Sequence, residues 1–235
     1  MTQDEGRYRF RSSLLNAVTE QENNTLRNKS FSQARALVDD REVSRSQVVQ
    51  VISELMKIAS SPMIKLSLVH FIHEITTRDE QEYPELFWVI LDSQILFEAE
   101  NDISVVGRLI AGTLIDIGGR EAMRAYLTYI LLTQQDENKI RKAAMAFYPT
   151  GHTVSSLQIL DQVISASPSL NLDINYVWLS AYLDAEGSIF KEGTAKLSAG
   201  EKEYLKGFFT RGLSLPNEFI HQSSQKALAL LEEKA

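Results

Sequence analysis

His70, His73 and Glu74 are the residues of this chain whose types and spacing come nearest to a metal site, and they fall close to one helical turn. A helix that grips zinc with two histidines needs them at i and i+4, so that both imidazoles share a face, with a glutamate set as general base. The run His70-Phe71-Ile72-His73-Glu74 has neither that spacing nor that order. The chain also contains no cysteine, which removes thiolate ligands, thiol nucleophiles and disulfides together. The reading is a histidine pair with no metal and no cofactor. A metal hydrolase using His70 and His73 with a distant carboxylate stands as the alternative.

Two acidic groups, Asp39, Asp40, Glu42 and Asp79, Glu80, Glu82, invite comparison with catalytic carboxylate pairs. Neither Asp39 nor Asp40 is followed four residues later by a second aspartate that would build a magnesium-binding helix face. Both groups lie at expected helix ends, where acids favour the helix dipole. Gly193-Thr194-Ala195-Lys196 lacks the spaced glycines of a phosphate loop, and no serine sits in a strand-turn-helix elbow. No catalytic residue is assigned.

Charge narrows the partners. With 31 acidic and 24 basic residues the formal net charge is −7, and nucleic-acid affinity depends on Lys and Arg neutralising phosphates. A basic patch from Arg7, Arg9, Arg11, Arg27, Lys29, Arg35, Arg41 and Arg45 is interleaved with Glu20, Glu22, Asp39, Asp40 and Glu42, so no nucleic-acid partner is expected. The longest apolar run, Leu86 to Leu91, falls far short of the roughly 20 residues of a membrane span, so no stable membrane insertion is expected. The polar start Met1 to Arg11 differs from the apolar stretch of a secretory signal, and a cytoplasmic location is the expectation.

The elements that must position these residues read as helices throughout. Residues 1–6 read as a tail, followed by a helix from Arg7 to Glu22 with Phe10, Leu14, Leu15 and Val18 at helical spacing. Ser30 with Gln33, Ser44 with Gln47, Asp79 with Glu82 and Ser198 with Glu201 have the spacing of capping boxes. Ser61-Pro62 and Pro216 mark two further starts, and Asn101 or Asp102 another. The apolar stretch from Tyr83 to Phe97 reads as one helix buried on most sides, with Trp88, like Trp178, in the core. The periodicity predicts about a dozen helices, no sheet, and a single all-helical domain over 1–235. Residues 185–200, with Gly187, Gly193 and Gly200, read as one long irregular loop within it.

Two hairpins repeat at a spacing of 59 residues. Val51, Leu55, Met56, Ile58, Ile64, Leu68, Phe71 and Ile72 correspond to Ile110, Leu114, Ile115, Ile117, Met123, Leu127, Ile130 and Leu131, and the turn Ala59-Ser60 corresponds to Gly118-Gly119. An amphipathic hairpin leaves an apolar face that a neighbouring unit must cover. Over these hairpins the chain resembles HEAT or armadillo-like repeat proteins. That resemblance implies an all-α fold of stacked antiparallel helical hairpins, α-solenoid-like, and a non-catalytic scaffold or adaptor for a protein or peptide partner. The second helices, Pro62 to Thr77 and Arg120 to Gln134, are then expected to share a face. Its non-core positions Lys65, His73, Arg124, Thr128 and Tyr129 mix polar and aromatic side chains, which suits a protein partner. A HEAT-like glycosylase, a secreted bacterial effector and a membrane-traffic regulator are the other classes the sequence leaves open.

Overall fold

A computed structural model describes residues 3–20, 23–78, 82–98, 106–166, 174–191 and 194–232. Among them every regular element is helical, so the protein is all-α. No described helix is long and apolar enough to cross a membrane. The chain divides into two compact units, Met1–Gly119 and Arg120–Ala235.

The first unit begins with α1 (Gln3–Thr19), four residues earlier than the apolar stripe suggests, with Asp4 and Glu5 in its first turn. Acids there meet the positive end of the helix dipole. Phe10, Leu14, Ala17 and Val18 form its buried stripe. Helix α2 (Asn24–Asp39) packs on it. The expected cap at Ser30 is not used: Asn23 starts the helix, its side chain accepting from the Leu26 N–H at 3.0 Å, and Ser30 lies mid-helix. Helix α3 (Arg45–Ile58) does start at the Ser44–Gln47 capping box and buries Val48, Val51, Ile52, Leu55 and Met56. Helix α4 (Pro62–Arg78) buries Leu68, Val69, Phe71, Ile72 and Ile75. Ile58, assigned to the apolar stripe by the repeat, is exposed instead.

The predicted helix from Tyr83 to Phe97 is two, α5 (Glu85–Asp92) and α6 (Ile95–Glu98), parted at Gln94, whose φ of 59° is left-handed. Tyr83, Phe87 and Phe97 are buried as expected, but Trp88 is 61% exposed, edge-on to Phe87 at 5.3 Å. With Leu86, Phe87, Ile90 and Leu91 buried, a one-turn-wide core face is already filled and position 88 points away from it. Asp79, Asn101 and Asp102 lie outside the described residues. Helix α7 (Val106–Thr133) is interrupted at Gly119, with φ 83° and ψ 160°. A side chain is strained there, which is why the predicted Gly118-Gly119 stop works.

In the second unit, α8 (Glu137–Ala146) is capped by Asp136, and a 3-10 turn at Tyr148–Thr150 leads to α9 (Val154–Ala166). Thr153 and Ser156 cap α9 reciprocally, at 3.2 Å and 2.8 Å. Helix α10 (Ile174–Ile189) runs five residues into the stretch expected to be a loop. A 3-10 turn at Thr194–Lys196 and the start of α11 (Ala199–Gly212), capped by Ser198 and Glu201, shorten that loop further. The last helix, α12 (Glu218–Glu232), is capped by Asn217, one residue after Pro216. The side chain of Trp178 lies outside the described residues.

The core of this unit is aromatic. Tyr182 stacks on Phe208 with ring centres 4.2 Å apart and donates its hydroxyl to the Phe208 carbonyl at 3.0 Å. Burial holds that phenol up at about 12, so it stays protonated and its bond persists. Gly212 lets α11 close on its neighbours: an added Cβ would stand 2.1 Å from Ser224 Oγ and 2.7 Å from the Tyr182 ring.

Candidate functional site

Helices α2 and α4 of the first unit lie side by side, each presenting a stripe at four-residue intervals. On α2 the stripe is Arg27, Phe31, Arg35, and on α4 it is Leu66, His70, Glu74. Residues i and i+4 sit one above the other on a helix, so each stripe is a row of three side chains. Between the rows runs an open cleft of about 500 Å³, completed by Asn28, Ser32, Ser67 and Leu109. Phe31 is backed by the buried ring of Phe71, on which it stacks with ring centres 6.0 Å apart; Phe10 meets Phe71 at the same distance but tilted by 48°.

The two ends of the cleft differ in charge. At one, Arg35 donates to Glu74 at 3.0 Å, both side chains 26% exposed, and His70 Nδ1 lies 3.8 Å from the other Glu74 oxygen. At the other, Arg27 is half-buried and has no ion-pair partner among the described residues. The rest of the basic patch is mostly spent. Arg7 and Arg11 face Glu54, Arg9 faces Glu42, and Arg45 faces Glu85. A smaller hollow against α1, lined by Tyr8, Arg9, Asp40 and Glu42, therefore has its cation already neutralised.

The four residues expected to meet a partner are divided between the two units. Lys65 and His73 belong to the first unit, Arg124 and Tyr129 to the second. Lys65 is turned inward: its Nζ donates to both Glu98 carboxylate oxygens at 2.6 and 2.7 Å and to the Ser93 carbonyl at 2.8 Å, tying α4 to the α5–α6 corner. Bonds to charged groups contribute about 1.5–3 kcal/mol each, so this lysine is a strut. His73 Nδ1 is 3.5 Å from Asp116 Oδ2 without a hydrogen bond. Arg124 reaches the Thr150 carbonyl at 3.4 Å, with its Nε buried and unpartnered. Tyr129 is 60% exposed.

His70 and His73 thus face different acids. Among the described residues no group of three or more His, Asp or Glu is placed to hold a metal ion.

His152, in the second unit, gave no signal in the sequence. It follows Gly151, whose φ is 73°, and its side chain is only 1% exposed, stacked on Phe147 at 6.2 Å. Its backbone N–H donates to Asp184 Oδ2 at 2.8 Å and to Ser188 Oγ at 3.2 Å, anchoring the turn to α10. Neither ring nitrogen has a hydrogen-bond partner among the described residues. Burial drives the imidazole pKa down to about 4; Asp184, 3.9 Å from Nε2, opposes this and Arg124 adds to it. The ring is neutral at pH 7, so the approach to Asp184 is no ion pair there. Ser188 Oγ bonds Asp184 rather than the imidazole, so no nucleophile and base are paired.

No family model matches the chain, and neither a curated protein nor a solved structure does.

Proposed function

We propose that the chain is a non-catalytic interaction protein, a helical scaffold or adaptor that holds a segment of a partner protein in the cleft between α2 and α4. The observation that carries this reading is the make-up of that cleft: an apolar floor of Phe31, Leu66 and Leu109, polar lips, and a cation, Arg27, that has no ion-pair partner among the described residues. Mixed apolar and polar linings with an arginine anchor are the usual composition of protein-recognition sites. The repeated hairpin and its resemblance to HEAT or armadillo-like proteins favour the same class, since those folds present helix faces to partners. Lys65 contributes by holding α4 in place.

The test is capture of a partner on the immobilised protein, with Arg27→Glu compared against Lys206→Glu, an exposed control in the second unit. A partner held by the wild type and by Lys206→Glu is expected to be lost at least tenfold on Arg27→Glu, with the circular dichroism of the variant unchanged. Equal capture by Arg27→Glu would overturn the site.

A further inference from the structure

We infer that the α2–α4 cleft recognises an acidic peptide carrying one carboxylate side chain and, two residues further along an extended backbone, an aliphatic or aromatic side chain. This rests on the reading of the cleft as the recognition site and goes on to say what it recognises.

Charge sets the first half of the motif. Arg35 and Glu74 cancel one another, and with histidine counted as neutral the cleft is left with the single positive charge of Arg27. One guanidinium matches one carboxylate, which it can grip through two parallel N–H donors. A polyphosphate or a nucleic-acid strand would bring several negative charges to a cleft that offers one compensating cation and also holds Glu74, inside a chain of net charge −7. Removing Arg27 from water without an anion costs free energy, and a ligand carboxylate reverses that cost.

Spacing sets the second half. Arg27 and Phe31 are one i, i+4 step apart, about 6 Å along the helix at 1.5 Å per residue. In an extended peptide, residues i and i+2 point to the same side and are separated by about 6.6 Å. A carboxylate on Arg27 therefore delivers the side chain two positions on to the apolar floor of Phe31, Leu66 and Leu109. Asn28, Ser32 and Ser67 at the lips can bond the backbone between them. The stripes extend a further turn, to Arg35 and Glu74, giving about 12 Å of groove, which is room for three or four extended residues and more than a small acid fills.

The test uses the full-length 15N-labelled protein and the peptide acetyl-Ser-Glu-Ser-Leu-Ser-amide, titrated to millimolar concentration and read by amide chemical shifts. Saturable shifts are expected at 24–35 and 66–74. Affinity is expected to fall at least tenfold when the peptide glutamate becomes glutamine, and equally with Arg27→Gln. No saturable shift in those segments, or undiminished affinity in Arg27→Gln, would overturn the inference. 4-Phenylbutyrate serves as the small-acid arm: tighter binding by it than by the peptide at the same amides would assign the cleft to a small carboxylic acid and overturn the peptide. Peptide failure alongside Arg27-dependent partner capture would remove the motif and leave the recognition site standing. Capture indifferent to Arg27 would remove both.

Discussion

Taking the protein from pH 7 to pH 4 is expected to strip about 3 kcal/mol from the stability of the second unit through His152 alone. In the unfolded chain this imidazole takes up its proton near the ordinary value of 6.5, whereas in the fold burial first, and Arg124 second, hold it off until about 4. Between those values the unfolded state binds more protons, so stability is fully present above about 6.5, falls as pH falls, and levels off below about 4. His152→Leu removes the titration, and because neither ring nitrogen has a partner among the described residues it breaks no side-chain hydrogen bond there. Amide hydrogen exchange in α11 and α12, compared at pH 7 and pH 4, separates this group from the carboxylates that titrate in both proteins. The wild type is expected to lose about 3 kcal/mol more than His152→Leu over that range. Equal losses would mean that the imidazole is charged, or reached by water, in the fold.

Truncating either repeat-equivalent leucine, Leu55→Ala or Leu114→Ala, is expected to destabilise the first unit by about 2–5 kcal/mol. Both side chains are enclosed, at 2% and 0% exposure. The removed isopropyl group leaves a cavity that the surrounding helices close only in part. Denaturant titration of each variant reads the change. Losses under about 0.5 kcal/mol at both positions would contradict the packing of these helices.

What the sequence made legible was local chemistry. Ser44 with Gln47 and Ser198 with Glu201 act as capping boxes because the free N–H groups of a helix start need acceptors whatever the surroundings. The stripe Val48 to Met56 works for the same reason, its periodicity being a property of the helix itself. Ser30 and Gln33 carry the same spacing and fail, because Asn23 captures the helix start seven residues earlier. That single difference hid the cleft: a start at Ser30 places Arg27 outside the helix, so Arg27, Phe31 and Arg35 do not register as one row. Lys65 looked like a surface cation because its partner Glu98 is 33 residues away, and His152 gave no signal because the groups that anchor it, Asp184 and Ser188, lie 32 and 36 residues downstream. Spacing along the chain says which face a side chain is on. Which neighbour covers that face is decided by packing over longer range.

Partners are expected to engage the cleft between the α2 row of Arg27, Phe31 and Arg35 and the α4 row of Leu66, His70 and Glu74. Hydrogen–deuterium exchange of the full chain, free and with its captured partner, tests it most directly. Protection on binding is expected to concentrate in α2, Asn24–Asp39, and α4, Pro62–Arg78. Unchanged exchange in both helices, with protection appearing instead in 120–134 or 185–200, would contradict it.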